Sequence, residues 1–307
     1  MAKSGSLLPQ KLGDSHIRLL RIFRVVVESS GFAAAEIELN ISRPAISVAV
    51  AELESLLQMR LCHRGRGGFS VTEEGQQVYD AAMQLFSGLE TFRSQINAIN
   101  TELKGELNIG ITDNLVTIPE MRITRALANL KVRGPEVVFN IRMVPPNESE
   151  SGVLDGRLHT GVVPDVRRLP GLQYIPLYQE RSHLYCGQLH PLFSSKKKHL
   201  SDLELGQFDA VLPVYPQTPE NKKQQSVLKV AATSSDREGI AFLILTGQYL
   251  GFLPTHFAER WVDSGTMRAI EPERRQLLTQ FCAITRKGGR PHPNVDAYLE
   301  ELHIQLA

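Results

Sequence analysis

A single arginine opens a predicted helix in the first quarter of the chain, where its charge faces outward. Ser42 is a good helix N-cap, and Pro44 suits the first turn because its missing N–H has no partner there. Helical spacing places Arg43 and Ser47 toward solvent, and Pro44 and Val48 of the same helix are further candidates for DNA contact. An arginine in such a place binds guanine O6 and N7 or a phosphate, and the sequence leaves both open. The pattern predicts a helix that contacts DNA.

Two further arginines flank a glycine a short distance along the chain. Arg64 and Arg66 lie in the run Arg-Gly-Arg-Gly-Gly-Phe, between two short strand-like segments. Glycines at that place favour a hairpin tip, and its arginines would bind the minor groove or the DNA backbone. The alternative is a solvated turn with no partner.

The elements before these residues are predicted to form a helix-turn-helix. A first amphipathic helix is indicated by apolar residues at helical spacing, a second covers residues 32–39, and Asn40 begins a tight turn before the third. Two helices joined by so short a turn, followed by a basic hairpin, are typical of a winged DNA-binding domain over residues 14–72.

A second group of candidate binding residues lies beyond residue 105. Thr112, Asp113 and Asn114 follow a predicted strand, where a hydroxyl and backbone N–H groups can hold a ligand. Asp113 favours an amine-bearing or zwitterionic ligand over a bare carboxylate. Pro213 and Tyr215 end another strand and are candidates for the opposite wall. The alternatives are that Thr112 and Asn114 only cap a helix and that Tyr215 packs in the core or at the rim.

Enzymatic and metal-binding chemistry is not indicated. The sequence has no Gly-x-Ser-x-Gly elbow, P-loop or dinucleotide-binding glycine motif, and its histidines lack ligand spacing, so we expect no cofactor and no metal. The three cysteines, Cys62, Cys186 and Cys282, are scattered. A redox switch between Cys186 and Cys282 is one interpretation, but their apolar surroundings favour buried, inert thiols.

Composition agrees with a two-domain globular protein. The chain has 307 residues, 42% of them hydrophobic and 22% charged, and no apolar run approaches the roughly 18 residues of a membrane helix. The first 72 residues hold nine basic and six acidic side chains, a net charge of +3, and the rest carries −2. Because the sequence shows no signal-peptide core at its start, we expect a cytoplasmic protein. The basic N-terminal region is expected to bind nucleic acid.

A long helix is predicted between the two groups of candidate residues, over residues 73–104. Its apolar side chains repeat at heptad spacing: Leu85, Leu89, Phe92, Ile96 and Ile99. Such a seam predicts pairing with the same helix of a second copy, which would present two DNA-binding heads to two half-sites. The alternative is packing against its own domain.

Strand and helix patterns alternate after residue 105, which is typical of an α/β domain with mostly parallel strands. A ligand site is expected beyond the carboxyl ends of those strands. A solute-binding or transport accessory protein is an alternative function, and a ligand-independent architectural DNA binder is another. The missing signal peptide counts against the first, and the two hundred residues of cleft-forming fold count against the second.

Residues 20–75 resemble the LysR-type transcriptional regulators. The resemblance rests on Phe23, the run ESSGFAAAEIELNISRPAIS at residues 28–47, Leu53-Glu54, Leu61, Arg64 and Thr72-Glu73-Glu74-Gly75. The chain departs from the family at Arg43, where Gln is usual, at Val48 and Ala51, where basic or polar residues are common, and at Gln58, where Gly is usual. The DNA sequence that it reads is therefore expected to be atypical.

The resemblance implies the organisation of the whole chain. It implies an all-α winged helix-turn-helix, a linker helix that dimerises, and a periplasmic-binding-protein-like effector domain at residues 105–307. Subdomain I would cover about 105–178 and 281–307, and subdomain II about 179–280. The expected partners are promoter DNA, RNA polymerase, a second copy in a dimer or a dimer of dimers, and a small-molecule co-inducer that the sequence does not identify.

Overall fold

The structure is a computed structural model that describes residues 13–63, 68–99, 103–119, 122–197, 199–288 and 292–304. The chain divides into two compact units at Leu89 and Glu90. The predicted wing residues Arg64 and Arg66 lie outside the described residues. Among the helices of the described part, none is long and apolar enough to cross a membrane.

The first unit is built from helices and one small hairpin. Its elements are α1 (Asp14–Glu28), α2 (Phe32–Leu39), α3 (Arg43–Leu57), β1 (Cys62–His63), β2 (Ser70–Val71) and the start of α4 (Glu73–Ile99). α1, α2 and α3 pack around a core that includes Phe23, Ile46 and Leu53. β1 and β2 pair antiparallel and form the base of the predicted hairpin.

Two tight backbone positions fix how the elements of this unit meet. Gln58, where the resemblance expects Gly, ends α3 with φ +53°, a left-handed conformation that favours Gly. Gly75 lies in the first turn of α4, where an added Cβ would fall 2.0 Å from the Leu61 carbonyl oxygen. Thr72 caps this helix by accepting a hydrogen bond from the Gly75 N–H at 2.9 Å.

α4 is described from Glu73 to Ile99, and residues 100–102 lie outside the described residues. The sequence predicts a helix over residues 73–104, but Lys104 belongs to a strand. Leu103 packs against the core of the second unit, and Gly105 has φ +89°, so this segment follows the strand and its core rather than the helical seam. The side chain of Ile99 lies outside the described residues.

The second unit is α/β. Its strands are β3 (Lys104–Ile111), β4 (Glu136–Met143), β5 (Thr160–Pro164), β6 (Leu172–Gly187), β7 (Asp209–Pro213), β8 (Lys229–Ser234), β9 (Leu250–Pro254), β10 (Met267–Ile270) and β11 (Gln276–Arg286). Its helices are α5 (Arg122–Arg133), α6 (Pro146–Asp155), α7 (Asp202–Leu205), α8 (Pro219–Gln225), α9 (Arg237–Leu245), α10 (Thr255–Asp263) and α11 (Pro293–Ile304), with a 3₁₀ turn at Leu115–Thr117.

The strands form a mixed sheet rather than the mostly parallel one predicted. Their order is β4-β3-β5-β11-β6-β9-β7-β8, with β10 also paired to β6. β3 pairs parallel with β4 and β5, and β7 pairs parallel with β8 and β9. The long strands β6 and β11 pair antiparallel with each other and join the two halves. Two such crossing strands make a hinge between two subdomains, with a cleft beside them.

Candidate functional site

The predicted DNA-contacting residues of α3 lie on its solvent face. Arg43, Pro44 and Val48 are exposed and Ser47 is partly exposed. The Arg43 backbone N–H donates to Glu36 Oε1 at 2.9 Å, so a side chain of α2 caps the start of α3. At the other end, Glu54 Oε1 accepts from the Leu61 N–H at 2.9 Å and holds α3 against the segment that enters the hairpin. The outward face of α3 is therefore held by contacts at both ends.

The predicted dimerisation seam is solvent-exposed in the single chain where its side chains are described. Phe92 is 57% exposed and Ile96 48%, Leu89 is exposed, and Leu85 is partly buried. Tyr79 and Phe86 of the same helix instead pack into the core of the first unit. An apolar row that its own chain leaves in water is a surface that a partner can cover.

Three of the five predicted effector residues meet at one cavity of about 270 Å³. Thr112, Asp113 and Tyr215 line it, while Pro213 lines a smaller neighbouring cavity. Asn114 has φ +64° and donates from Nδ2 to Asp113 Oδ2 at 2.9 Å, so it orients Asp113 rather than lining the cavity. The other lining residues are Met143, Val144, Pro145, Pro146, Pro164, Ser235, Asp236 and Arg237.

Asp113 has a partner that the sequence did not indicate. Arg237 Nη1 lies 2.6 Å from Asp113 Oδ1, and the Arg237 backbone N–H donates to Asp113 Oδ2 at 2.6 Å. The two residues are 124 positions apart, one after β3 and the other at the start of α9. The carboxylate predicted to receive the amine of a ligand thus already neutralises an arginine, in an ion pair that crosses the cleft.

The ion pair belongs to a longer polar chain beside the hinge. Arg237 Nη2 lies 3.1 Å from Glu180 Oε1 on β6, and Glu180 Oε2 lies 3.2 Å from His256 Nε2. His256 Nδ1 is in turn 2.7 Å from the Thr117 hydroxyl, so the subdomains are connected at a second point. Although burial works against the charges, Arg237 lowers the pKa of Glu180, and Tyr215 and the two carboxylates raise the pKa of Arg237.

One polar group of the cavity has no partner. Thr112 is 2% exposed, and its hydroxyl makes no hydrogen bond within the described residues. A buried hydroxyl without a partner costs free energy unless a ligand or water satisfies it. Loss of surrounding water raises the pKa of Tyr215, so its hydroxyl stays protonated at neutral pH and can donate. The cavity therefore combines hydroxyl groups with an apolar wall of proline and valine.

The N-terminus of α9 is not available to an anion. Asp236 caps it by accepting from the Gly239 N–H at 2.7 Å, and Ser235 donates to the other carboxylate oxygen at 3.0 Å. The lining therefore holds two carboxylates and one guanidinium, all engaged. Sequence reasoning missed Asp236 and Arg237, although Ser-Ser-Asp after a strand is a recognisable helix-start pattern.

The described residues contain no cluster of three or more His, Cys, Asp or Glu that could hold a metal ion. Cys186 and Cys282 are both buried, and burial raises the pKa of their thiols to about 11 and about 12. A thiol with such a pKa holds almost no thiolate at neutral pH, and the thiolate is the form that reacts with oxidants.

Comparison with known proteins agrees with this architecture. Residues 17–76 match the family model of the bacterial regulatory helix-turn-helix protein, lysR family, and residues 100–307 match the LysR substrate binding domain. The chain is 48% identical to the HTH-type transcriptional activator BauR of Pseudomonas aeruginosa over 99% of this chain and 100% of that protein. It is 30% identical to the SDS degradation transcriptional activation protein of a Pseudomonas species, over 92% and 93% of the two chains.

The fold also matches a solved structure. Full-length CbnR complexed with its target DNA aligns with a TM-score of 0.66 over 94% of this chain and 99% of that one, at 19% identity. At this identity the likeness bears on the fold alone, which is a helix-turn-helix followed by a two-subdomain domain. Since the two family models cover almost the whole chain and the relatives match it over nearly their full length, this chain belongs to the LysR family of transcriptional regulators, which bind DNA through the helix-turn-helix and are controlled through the effector-binding domain.

Proposed function

We propose that this regulator responds to a small molecule that carries an ammonium group and binds in the cleft beside Thr112. The observation that carries the proposal is the charge of the cavity lining. Asp113 and Asp236 outnumber Arg237, and Glu180 adds a further carboxylate directly behind it. A net negative cleft attracts a cation and repels a carboxylate that brings no positive charge of its own.

The size and the hydroxyl groups of the cavity narrow the class further. A volume of about 270 Å³ corresponds to roughly nine waters, which suits an amino acid or a short amine better than a large aromatic compound. The Thr112 hydroxyl, which has no partner among the described residues, offers a hydrogen bond to a polar group of the ligand. An ammonium group beside Asp113 would compete with Arg237 for the Asp113 carboxylate. A carboxylate on the same ligand could then pair with the guanidinium of Arg237 and neutralise its charge.

This competition suggests how the effector acts. Asp113 and Arg237 lie on opposite subdomains, so a ligand that separates them removes an ion pair that joins the two sides of the cleft. A ligand shifts a conformational equilibrium only through different affinities for its two states, and an ion pair that it replaces supplies such a difference.

A thermal-unfolding screen of the full chain tests the ligand class. Short amines and amino acids are compared with carboxylates and amides of the same length at equal ionic strength. A ligand at about 100 times its Kd adds about 2.7 kcal/mol, which raises the midpoint of a domain of this size by about 5–11 °C. The Thr112→Val variant should lose most of that shift. Stabilisation by simple carboxylates and not by amines would contradict the proposal.

The chain is further proposed to act as a dimer, or a dimer of dimers, on promoter DNA in the cytoplasm. The exposed seam at Leu89, Phe92 and Ile96 supports pairing with a second copy. A Phe92→Asp variant should sediment as a smaller species, while Arg93→Ser on the same helix should not. An unchanged sedimentation coefficient for Phe92→Asp would contradict the seam.

We also expect this regulator to activate transcription through contact with RNA polymerase, because two of its relatives are named activators. The assay is transcription in vitro from the bound promoter with purified polymerase. Addition of the effector should raise the yield of transcript, and a fall in yield would indicate repression.

A further inference from the structure

The outward face of α3 carries an apolar stripe. Pro44, Val48 and Ala51 are all exposed, and Val48 is 66% exposed. Their spacing of four and three residues aligns them along one side of the helix. The opposite side, with Ile46 and Val50, is buried in the core of the first unit. The stripe is therefore a solvent-facing surface that the packing of this unit does not use.

A stripe of this kind is unusual on a helix that reads DNA. Base edges are generally recognised by side chains that form hydrogen bonds, and none of these three side chains can form one. α3 has a single basic residue, Arg43, which lies beside the stripe at the start of the helix. Attraction to phosphates therefore does not account for the residues along the stripe.

The major groove offers one apolar group that fits such a surface, the C5-methyl of thymine. From Pro44 to Ala51 the helix rises about 10 Å, which corresponds to about three base pairs of B-DNA. A valine against a thymine methyl removes both from water, whereas a valine against the amino group of cytosine or adenine would bury a donor without a partner. The stripe thus favours thymine and disfavours bases that present only polar edges.

We propose that Val48, flanked by Pro44 and Ala51, selects DNA by contact with thymine methyl groups in the major groove. The inference rests on the proposed function in that α3 must enter the major groove. Val48 is thereby a specificity-determining residue, while Arg43 at the end of the stripe supplies a polar or phosphate contact. The contacts of Glu36 and Glu54 at the two ends of α3 hold the stripe in place without using its face.

The test removes single methyl groups from the DNA. Duplexes that the full chain binds are selected from a random pool, and each thymine of the best duplex is replaced in turn by deoxyuridine, which lacks only the methyl. Dissociation constants are measured at one fixed salt concentration. Burial of one methyl contributes a factor of about four in affinity, so one to three thymines per half-site should each show a loss of about four-fold.

Variants of the protein connect the effect to the residue. In Val48→Ala the loss on replacing thymine by deoxyuridine should fall below about two-fold at the contacted positions, because the apolar partner of the methyl is gone. Val132→Ala is the matched control, since Val132 is another exposed valine on a helix, in the second unit, and should keep the four-fold effect. Equal unfolding midpoints of the variants and the parent chain show that the fold is retained.

The outcomes separate this inference from the proposed function. If the parent chain selects no duplex at all, DNA recognition by α3 itself fails. If it binds a selected duplex but deoxyuridine is tolerated at every position, or the loss is as large in Val48→Ala, only the methyl contact is refuted. If Val48→Ala leaves DNA affinity unchanged and abolishes transcription activation, the stripe binds a protein, which also overturns the inference.

Discussion

Removal of the Arg237 guanidinium tests the polar chain beside the hinge. In Arg237→Met the side chain keeps its length but loses its charge, which leaves Asp113 and the buried Glu180 without their shared cation. Breaking a buried ion pair by removing one partner costs about 3–5 kcal/mol, because the remaining charge stays out of water. For a domain of about 200 residues this lowers the unfolding midpoint by about 6–20 °C.

The pH dependence of this loss identifies its cause. In the parent chain Arg237 lowers the pKa of Glu180, so the carboxylate stabilises the fold above its unfolded pKa, and that contribution is lost as the pH falls. In the variant we expect the pKa of the same carboxyl to rise. The protonated carboxyl would then stabilise the fold at low pH, and this stabilisation would be lost as the pH increases. Both effects make the difference between the two proteins smallest at low pH.

The assay is thermal unfolding followed by circular dichroism between about pH 3.5 and pH 8, because the parent contribution is lost only below the unfolded pKa of Glu180, 4.5. Arg168→Met is the matched control, because Arg168 also pairs with a carboxylate, Asp165 at 2.8 Å, but is 63% exposed. An exposed pair contributes little to stability, so this control should unfold within a few degrees of the parent chain. The reasoning is refuted if Arg237→Met costs no more than Arg168→Met, or if its deficit is the same at every pH.

Three further predictions concern packing, protonation and thiol reactivity. Gly75→Ala should lower the free energy of unfolding by about 1–3 kcal/mol, because the added Cβ meets a carbonyl oxygen. Gly88→Ala, in the open part of the same helix, should raise the free energy of unfolding by up to about 1 kcal/mol. Equal effects of the two variants in urea unfolding would contradict this prediction. Burial lowers the pKa of His159 to about 3 and that of His292 to about 4, so both side chains stay neutral in the folded protein. Because the unfolded chain binds these protons more readily, the free energy of unfolding should fall by about 1.4 kcal/mol per pH unit for each histidine as the pH drops below 6.5. His292→Phe should halve that slope in urea unfolding, and an unchanged slope would refute the assignment. Cys282, whose pKa burial raises to about 12, should resist a thiol-reactive disulfide at pH 7.5 until the protein unfolds, and peroxide should leave DNA binding unchanged; modification of the native protein would show otherwise.

The sequence predicted the first unit closely, because its signals are local. Ser42 and Pro44 mark the start of α3, and the alternation of buried and exposed positions within one helix follows from a period of 3.6 residues. The same local signals predicted the seam on α4 and placed Thr112 and Asp113 directly after a strand. They did not predict that Leu103 and Lys104 lie outside the helix, because these residues join a core and a strand made by distant parts of the chain.

The candidate effector site was predicted only in part. Strand ends after β3 and β7 are visible in the sequence, so the cavity walls at Thr112 and Tyr215 were expected. The sequence also expected Asp113 to be free for a ligand, and the structure pairs it with Arg237. No local pattern connects two residues that are 124 positions apart, so a charge can be recognised from the sequence while its partner cannot.

What the sequence by itself determined is therefore the family, the order of the domains and the exposed face of α3, since each rests on residue types at short spacing. What only the tertiary structure decided is the electrostatics of the cleft. The crossing strands β6 and β11 position Glu180 beside Arg237 and His256. The Thr112 hydroxyl is buried and has no partner in the part of the chain that the structure describes. The charge that a site presents depends on which side chains neutralise one another in space, and that pairing is fixed only when the chain folds.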